Sequence, residues 1–205
     1  EPLFFVRRPE GLTGAIDIRK PADMVSYIQG KKILLEGDTL PYTEYLRLES
    51  LFPGVEVANG SGVLRQARMV KTPFEVEQLR RSCAVHAAAY ADVPSLYRPG
   101  MTDLELSIEL DRRLRQHGSL GLTRINGSTM EFVMSSVLAG ENADARSPYD
   151  FATTGAGTSI TFPIGANGTV IAEGMTVMTD GAANATGYIS DMTRIFSLGG
   201  LPDLA

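Results

Sequence analysis

Residues 177–194 read VMTDGAANATGYISDMTR. Two strand-like runs flank an Asn-Ala-Thr-Gly break, and each run carries one aspartate, Asp180 in the first and Asp191 in the second. Strands disfavour aspartate. The stretch therefore predicts a β-hairpin whose two acidic side chains are kept for a reason other than strand propensity.

The spacing of the two aspartates predicts that they face each other. If Ala185 and Thr186 form the centre of the turn, the pairing puts Asp180 directly opposite Asp191. Directly opposed residues share a face of the sheet, with Cβ atoms roughly 4.5–5.5 Å apart, and like charges at that distance destabilise the pair. Protonation, a cationic side chain or a bound metal ion would relieve the repulsion.

A divalent cation suits this arrangement best. Protonating one aspartate at pH 7 means raising its pKa from about 3.9 to 7, which costs about 4 kcal/mol. Arg194 points to the other face in this register and is not the obvious counter-ion. Two carboxylates can bridge or chelate a metal ion through oxygen ligands, although two are too few to hold a transition metal alone.

Two alternatives remain open for the hairpin. A register slipped by one residue would send one aspartate to the opposite face. Aspartates that flank turns are also common in solvent, where they need no ligand.

The composition is that of an ordinary globular protein. The chain has 205 residues, of which 43% are hydrophobic and 21% charged, enough for one large domain or two small ones. Its 19 basic and 24 acidic residues give a net charge of −5 without a long basic cluster, which argues against a nucleic-acid partner.

The single cysteine and the hydropathy pattern bear on the compartment. Cys83 excludes an internal disulfide and fits a reducing environment, and we expect it to be a small buried residue of a helix. No run of 18 apolar residues and no signal-peptide pattern are found, which predicts a cytoplasmic protein without a membrane partner. The chain begins at Glu1 and ends at Ala205, next to strand-like segments, and we expect it to be part of a longer protein.

The chain divides into two predicted domains. Residues 1–68 predict the order strand–helix–strand–helix–strand, part of an α/β domain, in the segments PLFFVRR, ADMVSYIQG, KKILLEG, TEYLRLESLF and GVEVANG. Residues 69–205 begin with two helices, each announced by a capping box, Thr72 to Glu75 and Thr102 to Glu105.

The two helices carry apolar stripes. The first is expected to bury Val76, Leu79, Cys83, His86 or Ala87, and Tyr90. The second is expected to bury Leu104, Leu106, Ile108, Leu110 and Leu114 and to stop at Gly118. Strand-like segments such as EFVMSSVLAG (131–140) follow, with turns at Asn167-Gly168 and Glu173-Gly174, so this half is predicted to be α+β.

Several motifs together resemble a known family. Gly187-Tyr188 and Ser190-Asp191-Met192-Thr193-Arg194 match a GY-x-SD-x-TR pattern, and Arg98-Pro99-Gly100-Met101-Thr102-Asp103-Leu104-Glu105 is similar to a PGMTE-x-E turn. The chain thereby resembles the pita-bread metallopeptidases, which comprise Xaa-Pro aminopeptidases, prolidases, methionine aminopeptidases and creatinase, and within them the Xaa-Pro branch. The resemblance implies the first half of a pita-bread catalytic domain, preceded by part of a creatinase-type amino-terminal domain.

The resemblance also implies a chemistry. Asp180 and Asp191 match two ligands of a pair of divalent metal ions, with Mn²⁺ favoured over Co²⁺ or Zn²⁺ because the ligation is rich in carboxylate. The implied reaction is metal-dependent hydrolysis of the bond before proline in a peptide whose second residue is proline. A homodimer is the implied assembly.

Two departures from the family pattern are visible. The remaining metal ligands of the family, one histidine and two glutamates, lie downstream of the second aspartate, and the chain stops at Ala205. The loop at 141–150 contains no histidine, and His86 and His117 read as a core residue and a helix-end residue. We therefore expect this chain alone to be inactive, and two other functions stay open: a catalytically silent binding protein, or a metal-free hydrolase like creatinase.

Overall fold

The protein forms two compact units, Glu1–Val70 and Lys71–Ala205. The structure, a computed structural model, describes residues 3–122, 134–146 and 154–199. The first three residues of the predicted strand at 131–140, and the part of the loop from 147 to 150, lie outside the described residues.

The first unit is an α/β arrangement of short elements. Its strands form two parallel pairs, β1 with β2 and β3 with β4. The elements are β1 (Phe4–Val6), β2 (Ala15–Asp17), a 3₁₀ helix (Pro21–Tyr27), β3 (Lys32–Leu35), α1 (Tyr42–Glu49), β4 (Glu56–Asn59) and α2 (Ser61–Met69). The alternation of strands and helices predicted from the sequence is present, while β2 and α2 were not anticipated.

The second unit places two helices against a three-stranded antiparallel sheet of order β5-β6-β7. Its elements are α3 (Pro73–Leu96), α4 (Asp103–Gln116), β5 (Ser135–Ala139), a 3₁₀ helix (Gly140–Asp144), β6 (Thr176–Asn184) and β7 (Ile189–Ser197). The core lies between the helices and one face of the sheet, and it includes Tyr90, Val93, Leu106, Leu110, Val137 and Val177.

Both predicted capping boxes are present. The Thr72 hydroxyl accepts from the Glu75 N–H at 3.3 Å, and the Glu75 carboxylate accepts from the Thr72 N–H at 2.8 Å. Thr102 and Glu105 repeat the arrangement at 3.1 and 2.8 Å. Because each box satisfies N–H groups that a helix end leaves unpaired, α3 and α4 begin where the sequence says.

Two predictions about the helix faces are wrong. Cys83 is exposed, and its neighbour Ser82 is fully buried in its place. Leu104 and Ile108 are 38% and 59% exposed, because the narrow stripe that meets the core runs through Leu106, Leu110 and Leu114.

A buried carboxylate fastens the segment after the second 3₁₀ helix. Asp103, at the first position of α4, is fully buried and accepts from the Gly168 N–H at 2.9 Å and from the Asn142 side-chain amide at 3.0 Å. Asn142 also accepts from the Ala156 N–H at 2.9 Å. These bonds join α4, the 3₁₀ helix after β5 and the turn at Asn167-Gly168, where Gly168 adopts a positive φ of 92°.

A membrane-spanning helix is not found in the described part of the chain: none of its helices is both long and apolar enough to cross a bilayer.

Candidate metal centre

The hairpin that carries the two aspartates has a different register from the one predicted. Asp180 pairs with Thr193, and Asp191 pairs with Ala182, so the two aspartates are diagonal neighbours and do not face each other directly. The register differs because the turn is longer than predicted: it spans the four residues 185–188 between Asn184 and Ile189. Asn184 closes it by accepting from the Gly187 N–H at 2.7 Å, and Gly187 has a positive φ of 89° that glycine tolerates.

The two aspartates nevertheless lie on the same face of the sheet, as predicted. The slip is two residues, and side chains alternate with a period of two, so Asp180 and Asp191 still share a face of the sheet. Diagonal neighbours on one face lie roughly 7–8 Å apart, within reach of a shared ligand. The alternative of a one-residue slip is excluded.

That shared face is the one turned away from the helices. The alternate residues Val177, Thr179 and Ala183 are buried against the helices, whereas Asp180 is half-buried and Asp191 is exposed. Arg194 pairs with Thr179 and so belongs to the helix-facing side, as predicted. Among the described residues neither aspartate has a cationic partner in an ion pair.

The local contacts orient Asp180. Its carboxylate accepts a hydrogen bond from the Thr193 hydroxyl on the paired strand. The next residue, Gly181, lies against β5. A Cβ at this position would be 2.7 Å from the Met134 carbonyl oxygen and 3.0 Å from the Ser135 Cα, so only glycine lets β5 approach this closely. Burial raises the pKa of Asp180 above its ordinary value; the Thr193 hydrogen bond opposes the rise, and the charge of Asp191 adds to it.

The donor set fits a divalent cation and is incomplete in the described residues. Two carboxylates on one face, without a cationic neighbour, are ligands of the kind that hard divalent ions prefer. In the described ranges 3–122, 134–146 and 154–199, no group of three or more His, Cys, Asp or Glu side chains could hold a metal ion. Asp180 and Asp191 can thus be two ligands of a larger set.

The substitution Asp180→Asn tests whether repulsion between Asp180 and Asp191 destabilises the metal-free chain. Asp180→Asn keeps an oxygen that accepts from Thr193 and removes one of the two charges, so we expect the free energy of unfolding to rise by about 0.5 kcal/mol. Urea unfolding at pH 7 with a chelator measures it. Asp144→Asn, at an exposed carboxylate of the 3₁₀ helix, is the control and should change little. A clear loss of stability in Asp180→Asn would contradict the repulsion.

Among the described residues, no other acidic residue or histidine joins the two aspartates in a metal-binding cluster. Glu141 and Asp144 are exposed on the 3₁₀ helix after β5. His117 ends α4, as predicted, and its Nε2 lies 2.8 Å from an Asp92 carboxylate oxygen on α3. His86 is fully buried in α3, as predicted for a core residue.

Sequence reasoning missed the polar contacts between α3 and the helix-facing side of the hairpin. Ser82 and His86 of α3 contact the turn and β7, and Ser190 is their buried partner on β7. Ser82 and Ser190 were overlooked because a search for apolar periodicity passes over serine, and His86 was predicted to be buried but not to contact β7. The available signal was Ser190 within the SD pair of the motif.

Comparisons with known proteins agree with this architecture. Residues 77–204 match the model of Metallopeptidase family M24, and residues 15–70 match that of the Creatinase/Prolidase N-terminal domain. The M24 match covers more than half of the chain, so the chain belongs to metallopeptidase family M24. The fold predicted from the sequence, part of a creatinase-type amino-terminal domain followed by the first half of a pita-bread domain, is confirmed.

Individual relatives are distant and longer. The chain is 26% identical over 187 residues to "Probable dipeptidase PepE" of Mycobacterium bovis, covering 90% of this chain and 43% of that protein. It is 21% identical over 183 residues to "Uncharacterized peptidase YqhT" of Bacillus subtilis, covering 89% of this chain and 44% of that protein. The chain thus spans less than half the length of these curated relatives.

Solved structures share the fold. The X-Pro aminopeptidase from Thermotoga maritima superposes with a TM-score of 0.70 at 20% identity, covering 92% of this chain and 48% of that one. The Xaa-Pro dipeptidase from Bacillus anthracis gives a TM-score of 0.70 at 24% identity, covering 95% of this chain and 49% of that one.

Proposed function

We propose that the full-length protein containing this chain is a metal-dependent peptidase that cleaves the bond before proline, as an Xaa-Pro aminopeptidase or dipeptidase. Asp180 and Asp191 are two of its metal ligands in this proposal, and the cofactor is a pair of divalent ions, Mn²⁺ before Co²⁺ or Zn²⁺. The substrate is a peptide whose second residue is proline.

The observation that carries the proposal is the pair of carboxylates on the face of the β6–β7 hairpin that is turned away from the helices. Two like charges close together on one face of a sheet destabilise the folded protein, and among the described residues neither aspartate has a cationic partner. A bound cation would offset this repulsion. Their place within the M24 match supports the metal reading, and the names of the relatives support the substrate class.

Asp180, Asp191 and Thr193 have separate roles in the proposed chemistry. Asp180 and Asp191 supply anionic oxygen ligands, and Thr193 holds the Asp180 carboxylate in one orientation through its hydrogen bond. The chemistry that the two ions supply, when bound, is activation of water and polarisation of the peptide carbonyl.

The test is a peptide hydrolysis assay on the full-length protein. With added Mn²⁺ we expect turnover of an Xaa-Pro dipeptide or an Xaa-Pro-containing tripeptide at least about ten times faster than that of the matched Xaa-Ala peptide. The dipeptide and the tripeptide separate dipeptidase from aminopeptidase activity. A chelator should abolish turnover and Mn²⁺ should restore it.

The loop after β5 favours a second candidate function. In the sequence this loop carries no histidine, which supports a catalytically silent binding protein. Bound Mn²⁺ without hydrolysis of any of these peptides would favour that function, while turnover that survives the chelator would favour a metal-free hydrolase.

Localisation and assembly belong to the same proposal. We place the protein in the cytoplasm, where a single cysteine is unremarkable, and expect a homodimer. Cell fractionation and light scattering of the full-length protein measure the two properties.

A further inference from the structure

One face of α3 carries a line of polar groups that form hydrogen bonds to the hairpin. The hydroxyl of Ser82 accepts from the Ala185 N–H at 3.0 Å and donates to the Tyr188 carbonyl at 2.5 Å. One turn earlier, the Gln78 carbonyl accepts from the Thr186 hydroxyl at 3.2 Å. The turn of the hairpin is therefore fixed to the first half of α3.

The next residues on this face reach β7 on the two sides of Asp191. His86 Nδ1 lies 3.1 Å from the Ser190 hydroxyl, and the Tyr90 hydroxyl donates to the Met192 carbonyl at 3.0 Å. His86 is fully buried, and Tyr90 and Ser190 are 4% and 5% exposed, so water does not compete for these bonds. Ser190 and Met192 are the immediate neighbours of Asp191.

The Ser190 hydroxyl contacts both His86 and the other strand of the hairpin. Its oxygen lies 3.1 Å from His86 Nδ1 and 3.3 Å from the Ala183 carbonyl oxygen. Protonation of the imidazole on Nδ1 lets this hydroxyl accept from His86 while it donates to Ala183. His86 Nε2 has no hydrogen-bond partner among the described residues.

The two side chains support each other. The rings of His86 and Tyr90 pack edge to face, with centroids 4.4 Å apart and planes at 85°. Each ring limits the rotation of the other, which keeps the Nδ1–H and the hydroxyl aimed at β7.

We propose that His86 and Tyr90 are positioning residues for Asp191, an inference that rests on the proposed metal-binding function. His86 holds the Ser190 side chain and Tyr90 holds the Met192 carbonyl, on the two sides of Asp191, and side chains alternate across a strand. Fixing Ser190 and Met192 toward α3 therefore directs Asp191 to the opposite face, where Asp180 lies.

The test compares near-isosteric substitutions in the full-length protein. Asparagine places an amide where His86 has Nδ1, and leucine has nearly the same shape without a donor, so His86→Asn should preserve the positioning and His86→Leu should lose it. Tyr90→Phe removes only the hydroxyl. Tyr97→Phe is the matched control, since that hydroxyl donates to the Ile171 carbonyl at 3.4 Å, and Ile171 belongs to neither strand of the hairpin.

The first measurement needs no metal. Amide hydrogen exchange at residues 190–192, normalised to that of α4, should be at least ten times faster in His86→Leu and Tyr90→Phe than in the parent protein. His86→Asn and Tyr97→Phe should stay near the parent value. Unchanged exchange at 190–192 in His86→Leu and Tyr90→Phe would overturn the proposal, whatever happens to the melting temperatures.

The second measurement titrates each folded variant with Co²⁺ and records affinity and visible absorption. Misplacing a ligand should weaken Co²⁺ binding about ten-fold and change the absorption bands in His86→Leu and Tyr90→Phe, but not in Tyr97→Phe. Faster exchange with unchanged Co²⁺ binding would show a structural role only and overturn the positioning of Asp191. If the parent protein binds no Co²⁺ through Asp180 and Asp191, the proposed function fails, and hydrogen exchange alone then decides whether His86 and Tyr90 fix β7.

Discussion

Asp180→Asn and Asp191→Asn are each expected to weaken divalent metal binding by the full-length protein at least about 100-fold. An amide oxygen is a neutral and weaker ligand than a carboxylate, and each substitution removes half of the charge that this hairpin offers to a cation. Metal content after gel filtration and Co²⁺ titration measure the loss. Peptide hydrolysis, where present, should fall with it.

Asp144→Asn provides the matched control. It removes an identical charge from an exposed position on the 3₁₀ helix, so a loss caused only by weaker long-range attraction would appear in both. Full metal content in either hairpin variant would remove that aspartate from the ligand set. The same Asp180→Asn change is expected to stabilise the metal-free chain, and this opposite sign separates metal binding from folding.

The hairpin shows which parts of a site a sequence can reveal. The two strands, the break between them and the shared face of the aspartates follow from the alternating pattern of β-strands. The register did not follow, because it depends on a four-residue turn held by Ser82 and by the Gln78 carbonyl, which are about a hundred residues distant in the chain. Local residues alone favoured a tighter turn.

The two helices show a similar division. Their starting points were predictable because each capping box is a local signal read from four residues, beginning at Thr72 and at Thr102. The buried face of α3 was misjudged at Cys83 because its neighbour Ser82 is buried by hydrogen bonds to the hairpin turn. A buried polar face cannot be recognised until its partners are known.

The elements missed in the first unit are the shortest ones or those without strong start signals. β2 has three residues, too few to establish a period of two. α2 begins after Gly60 without a side-chain cap, so its start carries none of the marks that announced α3 and α4. The secondary structure of such segments depends on tertiary contacts.

The buried imidazole of His86 is expected to make the protein sensitive to mild acid. Burial lowers the pKa of His86 from 6.5 to about 4, with Asp191 acting to raise it and Arg194 to lower it. Above pH 6.5 the imidazole is neutral in both the folded and the unfolded state, and its titration contributes nothing. Between pH 6.5 and 4 only the unfolded chain takes up the proton, so stability falls as the pH falls, by about 3 kcal/mol in total.

The variant His86→Asn isolates this contribution from that of the carboxylates. Asparagine does not titrate, and carboxylates common to both proteins cancel when the two stability curves are subtracted. The difference in unfolding free energy between parent and variant, from urea unfolding at pH 7.5 and pH 4.2, should therefore change by about 3 kcal/mol across that interval. His117→Asn, at the partly exposed histidine beside Asp92, should keep the steep acid dependence. Parallel curves for the parent protein and His86→Asn would mean that the folded protein accommodates a charged His86, which would contradict a neutral imidazole in the folded state.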